Sequence, residues 1–394
     1  MSLVDEILTN EFFKKVLEKK IENFKDVLKI NASDVVTVGE GLSSDFLRVR
    51  VTYCTTLRDN KEVVSVIVKI LKMNEEMSKD LMVHENESSF YGEIFPLMTK
   101  LGFGIKFGPK IYLISGYPRS MIIMEDMSAL GYNMHSRQEG LDLEHCLVVL
   151  KKLAAFHASS VVLQKNNPEL LNKFNRDPGS KENILKAFLR VAQPELLRVL
   201  SNVQGLQKYI KKIPSVEKIY QNIYAAEAGS TNFIVLNHGD FWCNNILFQY
   251  KPNGEVNDAV FVDYQLSYLA SPCMDLHYFF GTSVKTRDKV KTINTTLNYY
   301  FDELLSNLEK FNVDSVPTHK QLCEDFRKRA MHGFGALCLI APLIRAGNLE
   351  DTTIKMFLEE EGKDTFRYRC FNSPQYLEEL QQLLPFYDNL GAFD

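Results

Sequence analysis

The chain has 394 residues, which is long for a single hydrophobic core and enough for two packed lobes. Hydrophobic residues make up 45% of the sequence and charged residues 24%, and the 26 Phe and 17 Tyr argue against a disordered chain. The 46 Lys and Arg nearly balance the 50 Asp and Glu, which leaves a net charge of −4. Bulk charge therefore gives no reason to expect nucleic acid or an anionic membrane as a partner.

The sequence contains neither a recognisable targeting signal nor a cysteine pattern typical of a metal site or a disulfide framework. No apolar run reaches the roughly 20 residues that span a bilayer, and the first ten residues lack the basic-then-apolar pattern of a secretory signal. The seven Cys form no C-x-x-C pair, which disfavours a zinc ribbon or a disulfide framework. We expect a cytoplasmic protein whose thiols are reduced and mostly buried.

The N-terminal segment has the spacing of an amphipathic helix. From Phe12 to Leu28 apolar residues recur at steps of three and four, and Lys and Glu fill the opposite face. The pattern predicts one helix packed on a lobe. A helix on a membrane surface is the alternative, but the mixed sign of the polar face disfavours it.

The next segment has the composition of β-strands. Runs rich in β-branched and aromatic residues predict strands at 35–38, 46–54 and 63–71, with a glycine-containing turn, Gly39-Glu40-Gly41, between the first two. A helix is predicted at about 78–98, and two further strands at 110–114 and Met121–Glu125. The result is five strands with one helix inserted after the third.

The remainder reads as mainly helical. Periodic stretches predict helices at 143–160, 182–203, 206–226, 290–311, 319–347 and 374–384, and two short apolar runs at 233–236 and 259–262 interrupt them. A β-rich front and an α-rich back predict two lobes with a cleft between them. We place the boundary near residues 125–128.

The strongest chemical signal is an H-x-D-x4-N loop that runs from His238 to Asn245. In such a loop Asp240 can accept a hydroxyl proton, and the amide oxygen of Asn245 can ligate Mg²⁺. Asp263 ends a short apolar strand 18 positions after Asn245 and is placed to hold the same metal. Together these side chains fit phosphoryl transfer, which needs charge neutralisation more than covalent chemistry.

Lys69 is a third signal because it lies alone within an apolar strand. Such a lysine can point into the cleft and pair with nucleotide phosphates if a carboxylate holds it. Glu87 on the following helix is the candidate, and Glu85, two positions away, faces elsewhere on the helix and is its rival.

Each feature taken singly has a simpler interpretation. A lone strand Lys usually lies at a sheet edge, a lone helix Glu usually forms a surface pair, and Gly39-x-Gly41 is only a turn signal. We interpret His238 as structural. The features nevertheless occur together in kinase order, and the sequence has no Walker-type phosphate loop. The combination favours an ATP-dependent kinase that is not a P-loop enzyme.

These motifs and their flanks resemble the ecdysteroid kinase-like family, which is grouped with choline kinases and aminoglycoside phosphotransferases in the protein-kinase-like fold. The resemblance spans about residues 35–280 and is carried by residues 238–248, 262–265 and 271–276. Glu87 with Tyr91 and Pro96, residues 124–127 and residues 155–158 extend it.

The resemblance implies an α+β, two-lobed fold. Residues 1–127 would form an N-terminal ATP-binding lobe with a five-stranded antiparallel sheet, a helix and the N-terminal helix. Residues 128–394 would form a larger, mainly helical lobe that carries the catalytic and acceptor-binding residues.

The resemblance also implies a role for each motif residue. Asp240 would be the catalytic base, and Asn245 and Asp263 would be the Mg²⁺ ligands. Lys69 would contact the ATP phosphates, and Glu87 would hold Lys69.

The remaining implied roles concern nucleotide contacts and support of the catalytic loop. Asp275 would brace that loop through His238. The hinge, which would offer backbone hydrogen bonds to adenine, comprises Glu125, Asp126 and Met127. The loop that would approach the phosphates departs from the glycine-rich consensus and includes Gly39, Gly41 and Ser44.

Departures from protein kinases disfavour a protein substrate. Trp242 stands where their catalytic loop carries Lys, and Tyr264-Gln265 follows Asp263 in place of Phe-Gly. The stretch from there to Asp275 is too short for their activation segment. The expected partners are ATP, Mg²⁺ and a small hydroxylated molecule, with no nucleic acid and no membrane.

The acceptor is expected to bind near residues 168–226, where the superfamily builds its acceptor pocket. Aromatic and aliphatic side chains there are candidate lining residues, although core packing is the commoner fate of aromatics at helical spacing. The candidates are Phe188, Leu189, Tyr209 and Tyr220.

Three functions stay open. The first is a kinase that transfers the γ-phosphoryl group of ATP to a hydroxyl of a small apolar acceptor, such as an ecdysteroid or a xenobiotic. The second is a choline- or ethanolamine-type kinase, which would need an acidic and aromatic cage that the sequence does not locate. The third is a nucleotide- or hormone-binding pseudokinase, which is disfavoured because none of the catalytic residues is missing.

Overall fold

A computed structural model describes residues 7–34, 44–57, 61–71, 83–101, 104–116, 120–175, 179, 182–229, 231, 233–346 and 354–394. The strands, in chain order, are β1 (Phe24–Asp34), β2 (Ser44–Thr55), β3 (Lys61–Leu71), β4 (Ile111–Ser115), β5 (Met121–Glu125), β6 (Tyr132–Met134), β7 (Val235–Asn237), β8 (Ile246–Tyr250), β9 (Val256–Phe261) and β10 (Tyr268–Ala270).

The helices fall into an early group and a late group along the chain. Those before residue 130 are α1 (Asn10–Leu17), α2 (Val83–Ser89) and α3 (Phe95–Leu101), the last two joined by a π-helical turn at Phe90–Ile94. The others are α4 (Leu143–Asn166), α5 (Pro168–Leu171), α6 (Glu182–Asn202), α7 (Val216–Ala228), α8 (Cys273–Thr282), α9 (Lys289–Lys310), α10 (His319–Lys328), α11 (Ala330–Leu339), α12 (Ala341–Arg345), α13 (Ile354–Glu359), α14 (Phe366–Phe371) and α15 (Pro374–Asn389).

The large sheet confirms the prediction of five antiparallel strands with a helix after the third. Its order is β1-β2-β3-β5-β4, and each neighbouring pair is antiparallel. Two smaller sheets, β6-β8-β9 and β10-β7, lie in the later part of the chain. The runs at 233–236 and 259–262 overlap β7 and β9, whereas the sequence analysis missed β6, β8 and β10.

The prediction of one helix from Phe12 to Leu28 is wrong beyond Leu17. The helix α1 begins after Thr9, whose Oγ1 accepts the Phe12 N–H at 3.2 Å, and the chain turns at Asn23 with φ 55°. The strand β1 then pairs with β2, and Leu28 is 44% exposed. Pairing with β2 therefore overrides the helical spacing of this segment. The predicted strand at 35–38 lies outside the described residues, as does the predicted start of the helix at 78.

Two predicted long helices are shorter in the structure. The helix expected from residue 206 begins only at Val216, after Pro214 and after the Ser215 side chain that caps it. The helix expected at 319–347 is three helices, α10, α11 and α12, with breaks at Arg329 and Ile340.

Alternation along β3 assigns its side chains to two environments. Val66 and Val68 are buried in a core that also contains Phe13 and Leu17 of α1. Because successive strand residues point to opposite faces, Lys69 points away from this core. The sheet thus turns one face to α1 and the other to the cleft.

A second core is centred on α4 and extends through the helices of the later part of the chain. Asp142 caps α4 by accepting the His145 N–H at 3.1 Å. By length and hydropathy α4 could cross a membrane, the single such helix among the described ranges, but 72% of its apolar window is buried inside the protein. Core helices of ordinary globular proteins have the same composition.

Candidate active site

Lys69 lies between two carboxylates at the back of the cleft. Its Nζ donates to Oε1 and Oε2 of Glu87 at 2.9 and 2.8 Å, and to Oδ1 of Asp263 at 2.7 Å. Lys69 and Glu87 are both buried, whereas Glu85 is exposed. The structure therefore brings Glu87, and not its rival Glu85, to the lysine.

The charges around Lys69 keep it protonated. Burial alone would lower the pKa of Lys69, but the charges of Asp263 and Glu87 raise it above its ordinary value. Burial raises the pKa of Glu87, with Lys69 opposing the shift. One ammonium thus faces two carboxylates, which leaves negative charge available for a cation in the cleft.

The side chain of Asp240 is held at both oxygens. Nδ2 of Asn245 donates to the backbone oxygen of Asp240 at 2.8 Å and to its Oδ2 at 3.0 Å, while the hydroxyl of Tyr278 donates to its Oδ1 at 2.8 Å. Burial and the charge of Asp263 raise the pKa of Asp240, and the Tyr278 hydrogen bond opposes that rise. The carboxylate is fixed in orientation and is a stronger proton acceptor than an exposed Asp.

Asp275 holds the backbone of the loop from His238 to Asn245, which we call the catalytic loop for the role that the resemblance implies. Its Oδ2 accepts the His238 N–H at 2.7 Å, and its Oδ1 accepts the Gly239 N–H at 2.9 Å. His157 Nε2 lies 3.2 Å from the same Oδ2. The brace implied by the resemblance is present, but it acts on backbone amides, while Nε2 of the His238 ring lies 3.0 Å from the Val262 oxygen.

Gly239 is required by this packing. Its φ is +82°, and a Cβ at this position would lie 2.0 Å from the backbone oxygen of Leu266. Any other residue would strain the backbone and collide with the segment that follows Asp263. The catalytic loop and that segment are therefore pressed together.

Asp263 and the next residue, Tyr264, connect the cleft to the helical segment that carries Glu87. Asp263 itself has φ 68° and ψ 62°, a left-handed conformation that Asp tolerates better than most residues. The Tyr264 ring stacks on Phe90 with centroids 3.8 Å apart, and its hydroxyl donates to the Phe107 oxygen at 3.3 Å. This contact links the metal-ligand candidate to the helical segment that carries Glu87.

The predicted hinge follows β5. The Glu125 N–H donates to the Lys110 oxygen at 2.8 Å, and the Asp126 N–H donates to the Ser65 oxygen at 3.3 Å. Met127 begins a 3₁₀ turn, and the first N–H groups of such a turn have no partner within it.

The Asp126 side chain has a structural part in the hinge. Its Oδ2 accepts from Arg48 Nε at 2.8 Å and from Ser65 Oγ at 2.7 Å, and its Oδ1 accepts from Ser128 Oγ at 2.7 Å. Burial acts against ionisation, but these hydrogen bonds hold the pKa of Asp126 below its ordinary value. Arg48 of β2 is thereby tied to the hinge.

These residues line one cavity of about 410 Å³ between the sheet and the later part of the chain. This volume is within the range of small-molecule sites, roughly 300–1,000 Å³. Of the residues predicted from the sequence, its walls include Lys69, Glu87, Glu125, Asp126, Met127, Asp240, Asn245 and Asp263. Ser44, the first residue of β2, is buried and lies outside these walls, and Gly39 and Gly41 fall outside the described ranges.

A second cavity, of about 240 Å³, lies on the other side of the catalytic loop. Of the four candidate lining residues, Phe188 and Tyr220 line this cavity, whereas Leu189 and Tyr209 are almost fully buried and pack in the core. The inner wall includes Gly239 and Tyr278, so the cavity ends one hydrogen bond away from Asp240.

The donor set fits Mg²⁺ bound together with nucleotide phosphates. Asn245 turns its amide nitrogen to Asp240, which leaves its oxygen for a cation, and the Val262 N–H donates to the Asn245 backbone oxygen at 3.0 Å. This bond keeps Asn245 close to Asp263. In the described ranges no three His, Cys, Asp or Glu side chains are grouped as a metal site, and Mg²⁺ usually takes only one or two carboxylates plus phosphate oxygens.

The sequence analysis missed Tyr278 and Arg48, and it included His157 in a matching motif without giving it a role. Tyr278 follows Asp275 by three positions, which places both on one face of α8, so helical spacing from Asp275 was an available signal. Arg48 and His157 contact partners 78 and 118 positions away, and a local pattern does not identify such partners.

The antiparallel sheet with a Lys–Glu pair, the hinge and the Asp-bearing loop define a phosphotransferase of the protein-kinase-like fold. A model of the ecdysteroid kinase-like family matches residues 38–313, more than half of the sequence. The chain belongs to this family and is thus a small-molecule kinase by descent.

Two of the solved structures to which the chain is similar are kinases from Cryptosporidium parvum and Plasmodium vivax. A choline kinase from Cryptosporidium parvum is 14% identical, with a TM-score of 0.48 over 97% of this chain and 95% of that one. An ethanolamine kinase from Plasmodium vivax is 12% identical, with a TM-score of 0.49 over 98% and 94%. Neither similarity assigns an acceptor to this chain, and comparison with curated proteins gives no match.

Proposed function

We propose that the protein transfers the γ-phosphoryl group of ATP to a hydroxyl of a small, mainly apolar acceptor. The observation that carries this proposal is the position of Asp240. Its carboxylate lies in the wall of the larger cavity, and Tyr278, which binds it, lies in the wall of the smaller one. A base between two cavities can meet a nucleotide on one side and an acceptor on the other.

Asp240 is the general base of the proposed reaction. Burial and the charge of Asp263 raise the pKa of Asp240, which makes its carboxylate a better proton acceptor than an ordinary Asp. The fixed geometry limits the acceptor hydroxyl to a narrow range of approach, and such positioning supplies much of the catalysis in phosphoryl transfer.

Lys69 and the hinge are proposed to hold the nucleotide. The Lys69 ammonium would neutralise phosphate charge, and Glu87 would keep it directed into the cavity. At the hinge the amides of Glu125 and Asp126 already have backbone partners, so the Met127 N–H is the candidate donor to adenine.

Asn245 and Asp263 are proposed to hold Mg²⁺, which when bound neutralises charge on the transferring phosphoryl group. Oδ1 of Asp263 also accepts from Lys69 at 2.7 Å, so the positive charge of Lys69 offsets part of the charge of this carboxylate.

The smaller cavity is proposed as the acceptor site. Its lining is mostly aliphatic and aromatic, with side chains from α6, α7, α8 and α11. Such a surface favours an apolar acceptor because burying apolar area is worth roughly 25 cal/mol per Å². A hydroxyl at the inner end of the cavity would lie beside Tyr278 and Asp240.

A choline- or ethanolamine-type acceptor is the second candidate because the same cavity contains a carboxylate among aromatic rings. Glu227 lines it together with Phe188, Tyr220 and Tyr224, and His332 Nδ1 lies 3.8 Å from Glu227 Oε1. A carboxylate and aromatic faces are the groups that bind an ammonium.

Acceptor phosphorylation in vitro tests the function and separates the candidates. Purified protein is incubated with ATP labelled in the γ-phosphate, Mg²⁺ and four acceptor groups: ecdysteroids, plant phenols, choline with ethanolamine, and aminoglycosides. Label on ecdysteroids or phenols supports the first proposal, and label on choline or ethanolamine supports the second. Tight binding of ATP and Mg²⁺ with no label on any acceptor would favour a binding protein instead.

A further inference from the structure

Tyr278 makes the one side-chain contact to Asp240 that comes from outside the catalytic loop among the hydrogen bonds of the described residues. Its hydroxyl donates to Oδ1 at 2.8 Å, and Asn245 Nδ2 donates to Oδ2 at 3.0 Å. Each oxygen of the carboxylate therefore has one fixed donor. Because a carboxylate oxygen can accept about two hydrogen bonds, Oδ1 keeps one position for a further donor.

The position of Tyr278 is set by the same helix that braces the loop. Tyr278 lies three residues after Asp275 on α8, so both side chains project from one face. Asp275 holds the backbone amides of His238 and Gly239 at 2.7 and 2.9 Å. One helix thus fixes both the backbone of the loop and the carboxylate that the loop presents.

Tyr278 also faces the acceptor side. It lines the smaller cavity together with Gly239 and Leu266, while Asp240 lines the larger one. Burial raises the pKa of Tyr278 well above its ordinary value, and Asp240 adds to this shift, so the phenol keeps its proton and remains a donor. A hydroxyl at the inner end of this cavity would lie beside the Tyr278 hydroxyl, which is itself 2.8 Å from Oδ1 of Asp240.

We propose that Tyr278 is a positioning residue that orients Asp240 toward the acceptor hydroxyl, a role that rests on the proposed kinase function. In the reaction the acceptor O–H gives its proton to Asp240, and the acceptor oxygen bonds to the γ-phosphorus. The bond from that phosphorus to the β–γ bridging oxygen breaks, and ADP leaves with the electron pair. Tyr278 exchanges no proton and holds the base while the transfer occurs.

The composition of this loop makes the contact between Tyr278 and Asp240 important. Trp242 occupies the position two residues after Asp240 and brings no charge. The orientation of the base therefore depends on Asn245 and on the tyrosine, and loss of the Tyr278 hydroxyl frees Oδ1.

The substitution Tyr278→Phe tests the role because it removes the hydroxyl and keeps the ring in the cavity wall. The matched control is Tyr53→Phe, which removes a hydroxyl that donates to Glu62 at 2.7 Å in the sheet, away from both cavities. For Tyr278→Phe we expect kcat to fall roughly tenfold, the size of one lost hydrogen bond to a charged group. KM for ATP should stay within about twofold.

The split between kcat and KM separates positioning from a general loss of structure. A misoriented base lowers kcat and leaves KM for ATP nearly unchanged, whereas a distorted site also raises that KM. The Tyr53→Phe protein should keep the wild-type kcat. An unchanged kcat in Tyr278→Phe would overturn the role.

A second readout does not depend on activity. In protein labelled with carboxyl-¹³C aspartate, the Asp240 signal is identified by its loss in Asp240→Asn. At one fixed pH its chemical shift should differ between Tyr278→Phe and the wild type, because the carboxylate loses a hydrogen bond, and an unchanged shift would overturn the proposed contact. If the wild type labels no acceptor, the proposed kinase function fails, while this chemical shift still decides whether Tyr278 holds Asp240.

Discussion

Nζ of Lys69 lies 2.7 Å from Oδ1 of Asp263, although 194 positions separate the two residues in the sequence. The contact joins β3 of the large sheet to the segment that follows β9. Glu87 on α2 accepts hydrogen bonds from the same nitrogen. The ammonium group of Lys69 therefore joins β3, α2 and Asp263, the candidate metal ligand. This junction is the part of the cleft on which nucleotide binding should depend most.

Loss of the Lys69 contact should weaken the reaction more than it weakens the fold. In Glu87→Gln the lysine loses one anionic partner, and we expect kcat/KM for ATP to fall by roughly 10- to 100-fold. The measurement is steady-state kinetics with ATP varied at a saturating level of the acceptor found in the panel. Glu85→Gln, an exposed site two residues away, is the matched control and should behave as wild type; equal losses in both variants would contradict the assignment.

Gly239 should tolerate no side chain. Gly239→Ala would put a Cβ 2.0 Å from the Leu266 oxygen at a φ of +82°. We expect the free energy of unfolding, measured by urea denaturation, to fall by clearly more than the roughly 2 kcal/mol that a positive φ alone can cost, and we expect loss of transfer activity. Gly205→Ala is the control because its φ is +83° and nothing lies within 4 Å of the new Cβ. It should cost only about 1–2 kcal/mol of backbone strain, and an equally small cost at Gly239 would refute the close approach.

Filling the smaller cavity should raise KM for the acceptor and leave the nucleotide site intact. Ile184 lines this cavity from α6, so Ile184→Trp would occupy space that the acceptor needs. We expect KM for the acceptor to rise about tenfold or more, with KM for ATP unchanged. Asn183→Trp places the same side chain at the exposed neighbouring position and is the control. An unaltered acceptor KM in Ile184→Trp would place the acceptor elsewhere.

Stability should fall as the pH drops below neutrality. Burial lowers the pKa of His277 to about 3, and its Nε2 lies 2.8 Å from the Phe326 oxygen. The unfolded chain, whose His titrates near 6.5, therefore binds the proton first, so stability is full above about pH 6.5 and is lost as the pH falls toward 3. At pH 5 the loss from this residue amounts to about 2 kcal/mol.

Urea denaturation between pH 7.5 and 5 measures this loss. His277→Gln keeps an N–H donor for Phe326 and removes the titrating group, so its stability should depend less on pH. Burial also lowers the pKa of His157, which will leave some dependence in the variant. An identical pH slope in both proteins would show that His277 is not the source.

Many of the residues that line the larger cavity were predictable from the sequence because they lie in short motifs that can be recognised locally. A lone Lys in an apolar strand, an Asp at a strand end and an H-x-D-x4-N loop each mark a position without knowledge of the fold. The strand β3 also fixes the side of the sheet on which Lys69 lies, since alternation with Val66 and Val68 is visible in the sequence. What the motifs could not give is the meeting of Lys69 with Asp263, which needs the whole fold.

Errors occurred where tertiary contacts outweigh local pattern. Residues 24–28 have helical spacing, but they pair with the edge of β2 and form part of strand β1. Leu189 and Tyr209 have the same apolar character as Phe188 and Tyr220, yet only the latter pair reaches the smaller cavity. Helical spacing alone does not distinguish the core side of α6 from its cavity side.

The most direct test of the kinase account is transfer of the γ-phosphoryl group by wild type, Asp240→Asn and Asp314→Asn under identical conditions. Asp314 is an exposed Asp that pairs with Lys165 and is not among the residues lining either cavity, so it serves as the matched control. With ATP binding measured separately by calorimetry, Asp240→Asn should bind ATP and Mg²⁺ and transfer at least about 100-fold more slowly, while Asp314→Asn should match the wild type. Transfer at the wild-type rate by Asp240→Asn would contradict the account, because the proton of the acceptor would then have to go elsewhere.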